Sequence, residues 1–227
     1  MRYLIALVAV LAFTRFAHAT AQMPDKLVLD GEEVSLHTNP LQPYLHAHSG
    51  EVPEFPPMTT ANWRGYIATF VIRDDLLIVD KVEVRDLAED RPRAERDPHE
   101  EVRFELDLKD IITEVFDGRD DVPATWYTGA LVIPRGERVH YVHMGYGSTY
   151  ERYTLLDVQA GRVVERLDLD ADEFTAHRRA RFEAFKASPA YAGMLEQVMS
   201  DHPMEPAAAE EFLYQYTAED YLSRDSD

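Results

Sequence analysis

The spacing of apolar residues changes once along this chain, at Asp170, and that change restricts the fold more than any composition figure. Between Leu27 and Leu169 apolar positions mostly recur at every second residue, the spacing of a strand with one buried face. Val102, Phe104, Leu106 and Leu108 alternate with Arg103, Glu105, Asp107 and Lys109, which predicts a half-buried strand. Leu76, Ile78, Val82 and Val84 keep the same spacing with a break at Asp80, and Asp74-Asp75 predicts a tight turn back to a strand over residues 66–72. Similar punctuation divides residues 26–29 from 34–37 at Asp30-Gly31, 131–133 from 139–143 at Pro134-Arg135-Gly136, and 150–158 from 163–169 at Ala160-Gly161. Links this short cannot complete a parallel crossover, so the expected sheet is mainly antiparallel, a meander of about seven to nine strands.

Three segments interrupt it. Residues 39–57 carry Pro40, Pro43, Pro53, Pro56 and Pro57, which predict an extended, loop-like path lying across the core. Residues 85–101 are charged, with Leu87 as their only large apolar group, and read as a long solvated loop or a disordered insertion. Residues 110–116 fit one or two helical turns. Beyond Asp170 the spacing is helical: Asp172 is the expected cap of a helix with Phe174, Arg178, Phe182 and Phe185 on one stripe, ending at Ser188-Pro189. Tyr191, Met194, Leu195 and Val198 predict a second helix, and Pro206 opens a third carrying Phe212, Leu213 and Tyr216, with Thr217 placed to cap a last turn. Strands first and about three helices last predict an α+β fold. The expected organisation is a β domain over residues 23–169, with the acidic helical segment 170–227 packed on it.

The amino terminus reads as an export signal covering residues 1–19. Arg2 is a short positive start, residues 3–13 are unbroken apolar, and Ala17-His18-Ala19 has the small-x-small pattern that signal peptidase cuts. The run is shorter than the roughly twenty residues a permanent span needs. Ala19-Thr20-Ala21 offers a second cut, so the expected mature chain starts at residue 20 or 22 and is periplasmic or secreted, without membrane insertion. The chain has no cysteine, so neither a disulfide framework nor a lipid-modified cysteine is available to it. The net charge is -19 and becomes -21 once Arg2 and Arg15 are removed, a field that repels phosphate backbones and anionic surfaces. Nucleic acid is therefore excluded as an expected partner.

The densest group of chemistry-bearing residues is aromatic. Trp63, Arg64, Tyr66, Trp126, His143, Tyr146, Tyr150 and Glu151 lie at or beside expected strand ends, where Trp and Tyr can stack a planar or sugar ligand. The competing account is core filling, with Arg64 and Glu151 as an internal brace. The order Thr59-Thr60-Ala61-Asn62-Trp63-Arg64-Gly65-Tyr66, then Trp126 with Gly129, then Tyr141-Val142-His143-Met144-Gly145-Tyr146 and Tyr150-Glu151, resembles an uncharacterised family of bacterial β-rich proteins with a Trp-Arg-Gly-Tyr motif. That resemblance implies a β-rich architecture and assigns no site.

Other chemistry is thinner. His46, His48 and His143 are the candidate metal ligands, His46 and His48 falling on one side of an extended segment, although three or four converging donors are needed. Asp168 to Glu173 begins like a calcium loop, but Glu173 stands where glycine is required and Arg179 where a bidentate glutamate should close the site. Gly145-Tyr146-Gly147-Ser148 precedes a strand rather than a helix and reads as a turn, not a phosphate cradle. No cofactor is expected. The reading these features favour is a noncatalytic module binding a protein, peptide or glycan, with a metal-assisted envelope hydrolase as the alternative.

Overall fold

Three two-residue turns form where the sequence places them. In the computed structural model, which describes residues 21–86, 107–142 and 145–222, Asp30-Gly31, Asp74-Asp75 and Ala160-Gly161 all have positive φ, the backbone twist of tight hairpins. They join β1 (Asp25–Leu29) to β2 (Glu32–Leu36), β3 (Ile67–Arg73) to β4 (Leu76–Arg85), and β8 (Thr149–Gln159) to β9 (Arg162–Asp170). With β5 (Leu108–Asp110), β6 (Val122–Pro123) and β7 (Gly129–His140) they make one nine-stranded sheet. Its order is β2-β1-β3-β4-β9-β8-β7, with β5 and β6 paired to β4. All pairings are antiparallel except β1 with β3, which the long segment between β2 and β3 makes reachable. The break at Asp80 is a bulge: Thr69 pairs with Lys81 and Phe70 with Val79, leaving Asp80 unmatched.

Some expectations are corrected. Pro134-Arg135-Gly136 does not turn the chain; β7 runs through it, and the register against β8 shifts between Arg135 and Arg138. Turn and bulge share the same residue chemistry, and here Gly136 sits at φ +75 inside a strand. The proline-rich segment packs on the core, and residues 48–57 keep the expected loop-like path, but it opens with a short helix, α1 (Gln42–Ala47), with Pro43 in its first turn and Leu41 and Leu45 buried. Of the strand expected from Val102 to Leu108, residues 102–106 lie outside the described residues, as do 87–101 of the charged segment. Arg85 belongs to β4, Leu108 opens β5, and the Asp86 N–H donates to Asp107 O at 2.8 Å. The turns expected at 110–116 are α2 (Ile112–Val115).

The sheet curls until its ends meet. The His37 N–H, just past β2, donates to Val132 O on β7 at 2.8 Å. Leu27, Phe70, Leu77, Val79, Leu131, Ile133 and Leu156 fill the inside. On β7 and β8 the opposite side chains, Ala130, Val132, Tyr153 and Leu155, are also buried, because the carboxy-terminal helices cover them. Two covered faces explain the unbroken apolar run Ala130-Leu131-Val132-Ile133 of β7. The covering layer is α3 (Ala171–Lys186), α4 (Pro189–Asp201), α5 (Pro206–Tyr216) and α6 (Ala218–Leu222). Phe174 and Phe182 of the predicted stripe are buried, with Phe174 stacked on Tyr153 at 3.7 Å between centroids. No described helix is long and apolar enough to cross a membrane.

The cap of α3 is Asp170, not Asp172. The Asp170 carboxylate accepts the Asp172 and Glu173 N–H groups, while the Glu173 carboxylate accepts the Asp170 N–H, a complete capping box. Asp170→Ala is therefore expected to cost about 0.5–2 kcal/mol in urea unfolding, and Asp172→Ala to be close to neutral. Equal losses would contradict the assignment.

Candidate functional site

A cleft of about 300 Å³ opens where the rim of the curled sheet meets α3, α5 and α6. Its sheet side is built from four segments distant in sequence. Gln22 precedes β1, His37 and Asn39 follow β2, Arg64 precedes β3, and Gly145, Tyr146 and Ser148 lie in the link from β7 to β8. Val132 and Tyr153 form the sheet floor, and Phe174 and Arg178 of α3 face them with Gln215, Tyr216 and Ala218. Among the described residues no carboxylate lines this cleft.

A buried ion pair holds the sheet side together. Asp25, with no exposed surface, begins β1; its Oδ1 accepts the Ala68 N–H at 3.0 Å and lies 3.0 Å from Arg64 Nη1. The same Nη1 donates to Asn39 Oδ1, and Nη2 donates to Met23 O at 2.9 Å. Burial pushes the Asp25 carboxyl above its ordinary range, against the downward pull of Arg64 and the Ala68 N–H. Burial works against the Arg64 charge, yet Asp25 more than compensates and keeps the guanidinium firmly protonated. Gly65 lets the chain turn here: at φ +77 its Cα lies so close to Phe55 that any Cβ would meet the Phe55 carbonyl oxygen at 2.4 Å.

Asn39 passes this order on to the aromatic wall. Its Oδ1 also accepts the Tyr146 hydroxyl at 3.0 Å, and Tyr146 stacks on His37 at 4.8 Å with Tyr150 edge-on to the same imidazole at 5.4 Å. Neither His37 ring nitrogen has a hydrogen-bond partner among the described residues. Desolvation pulls its pKa down to about 4, so the ring is neutral at neutral pH. Ser148 is engaged with the backbone: its Oγ accepts the Val142 N–H at 3.0 Å and donates to Val142 O.

On the helix side, the described hydrogen-bond partners of Arg178 are all neutral acceptors. Its Nε donates to the Tyr221 hydroxyl at 3.1 Å, and its Nη2 donates to Tyr214 O at 2.7 Å and to the Tyr221 hydroxyl at 3.0 Å. The guanidinium lies over the Tyr214 ring at 4.7 Å.

The structure disperses the residues singled out from the sequence. Arg64, Tyr146 and, through His37, Tyr150 belong to this cleft region. Tyr66 is buried, 1% exposed, with its hydroxyl donating to Gln42 Oε1 at 3.1 Å; burial, then Asp25, push its phenol well up. Trp126 packs with Tyr44 and Phe116 and donates to Pro40 O. Trp63 is 64% exposed and lines a second, more open groove on the other side of Arg64 and Asn39. Glu151 does not brace Arg64: its carboxylate accepts the Glu137 N–H at 3.0 Å and seats on the β7 bulge. His143 lies outside the described residues. His46 and His48 are on and just after a helix, not on an extended segment; His46 Nε2 meets Gln42 and His48 Nδ1 meets Tyr44 O. Among the described residues no three metal-ligating side chains converge.

Sequence reading passed over Gln22 and Asn39, and met Arg178 only as a member of the helical stripe. Arg178 left one sign, a charge inside an otherwise aromatic helical stripe. Comparison with family models, curated proteins and solved structures finds no match to this chain.

Two expectations follow from the geometry. Asp25→Leu or Arg64→Met alone should cost about 3 kcal/mol or more, because each strands a buried charge, while the double variant should recover part of the loss. Additive losses in urea unfolding would break the pairing. For His37 the folded pKa of about 4 lies below the ordinary 6.5, so the stability this ring contributes is full above pH 6.5 and drains as pH falls toward 4. Between pH 7 and 4 the wild type should lose on the order of 2–3 kcal/mol more than His37→Gln; parallel pH profiles for the two proteins would contradict the burial argument.

Proposed function

We propose that this chain is an exported, noncatalytic binding module whose small ligand seats in the cleft between the sheet rim and the helices. The observation that carries the reading is the lining: aromatic rings and fixed polar groups, with no carboxylate among the described residues, in a chain whose net charge is -19. The polar groups are set before a ligand arrives. Asn39 fixes the Tyr146 hydroxyl, and Tyr214 and Tyr221 fix Arg178, so little ordering entropy remains to be lost on binding.

The residues also favour holding over turning over. Ser148 is tied to Val142, and no described carboxylate hydrogen-bonds the His37 ring, so the relay that activates a serine nucleophile has no counterpart in this lining. The export reading rests on the charged start, the apolar run and the Ala17-His18-Ala19 pattern. It is compatible with the cleft, since a cut after Ala19 or Ala21 leaves the new terminus beside Gln22 at the cleft edge, where Gln22 N–H donates to Gly145 O.

Ligand-observed NMR with a fragment library on the mature chain tests the proposal. Fragments are expected to bind, to weaken at least tenfold with Tyr146→Ala (about 1.4 kcal/mol), and to be unaffected by Trp63→Ala on the neighbouring groove. A library without binders, or binders indifferent to Tyr146, would overturn it.

A further inference from the structure

Resting on that reading, we infer that the cleft is specific for a small monocarboxylate with a flat apolar body, anchored by the free Nη1 of Arg178. A guanidinium has five N–H donors. Nε and Nη2 of Arg178 supply the three that bind Tyr221 and Tyr214, and the two on Nη1 have no partner among the described residues. Among the described residues all of its hydrogen-bond partners are neutral, so they fix the orientation of the group without compensating its charge. Arg64, the other guanidinium of the cleft, is already neutralised by Asp25 at 3.0 Å. His37 brings no charge, being neutral at neutral pH with its pKa pulled down to about 4 by burial.

Among the described residues lining it, the cleft therefore presents one uncompensated guanidinium and no acid, and processing after Ala21 adds the Gln22 ammonium at its edge. A guanidinium whose free Nη1 can donate to one carboxylate oxygen suits a monocarboxylate; a phosphate dianion, with three acceptor oxygens, is better served by several converging cations. The remaining surface sets the rest of the ligand. Val132, Phe174 and Ala218 are apolar, and Tyr146 and Tyr216 add ring surface. At about 30 Å³ per water-sized group, the cleft's volume of about 300 Å³ takes a body of roughly ten non-hydrogen atoms, the size of a one-ring acid. Surrounding acids select further, since the field of the whole chain disfavours multiply charged anions more than singly charged ones.

Isothermal titration of the mature chain with phenylacetate, phenylacetamide and inorganic phosphate at neutral pH tests this. Phenylacetate is expected to bind at least tenfold more tightly than its amide, and phosphate more weakly than phenylacetate. Arg178→Gln should erase the preference of acid over amide, with circular dichroism checking that α3 and α6 still form. Because Arg178 braces Tyr214 and Tyr221, the acid and amide comparison in the wild type stands as the deciding measurement even where the variant does not fold. Equal affinities for acid and amide would overturn the carboxylate inference and leave the cleft reading standing, and tighter binding of phosphate would overturn the single-charge argument. Failure of phenylacetate to bind would also overturn the inference; fragment hits lost with Tyr146→Ala would then show that the cleft reading survives it.

Discussion

A carboxylate with no exposed surface cannot stand alone, and the need of Asp25 for a partner organises one whole end of this molecule. Arg64 meets that need, and in doing so fixes the chain ahead of β3 against the start of β1. Its remaining donors then recruit Asn39 and Met23, and Asn39 in turn holds the Tyr146 hydroxyl. Four segments distant in sequence are thus linked through one ion pair. Asp25 Oδ2 has no hydrogen-bond partner among the described residues, so the pair is not a stability device at its optimum. Its value lies in specifying position, which is what a preformed cleft requires.

The second determinant is the pair of strands β7 and β8, covered on both faces. Leu131, Ile133 and Leu156 look inward to the curled sheet, and Val132, Tyr153 and Leu155 outward to the helices. Each side chain of this size, when fully buried, contributes about 1.5–3 kcal/mol relative to exposure. Both cores therefore share one hairpin. The cleft sits where this shared layer runs out, which is why its floor is apolar while its rim is polar.

What could be read from the sequence follows from how local each interaction is. Asp74-Asp75 and Ala160-Gly161 announced hairpins correctly, because a turn is decided by the residues that make it. The change to helical spacing after Asp170 was equally legible, and with it the α+β class. Pro134-Arg135-Gly136 misled because a bulge and a turn demand the same backbone freedom, and only the partner strand distinguishes them. For the site, Arg64 and Tyr146 were visible as members of an aromatic-rich set, but the partner of Arg64 was not. Glu151 looked suitable by type, whereas Asp25 was chosen by the parallel pairing of β1 with β3, which no local pattern encodes. Arg178 was hidden for the opposite reason: its spacing fitted a helix face so well that its charge drew no separate attention.

Asp170 closes β9 and caps α3 at once, so strand and helix are joined without a single residue of slack. A hinge needs at least one residue free to change its backbone angles, and here the only candidate is locked by the capping box. The wall carrying Phe174 and Arg178 therefore moves only with the sheet. Across the cleft the joint between α5 and α6 is pinned as well, since Thr217 donates both its N–H and its hydroxyl to Leu213 O. Both walls of the opening are therefore set by the fold itself.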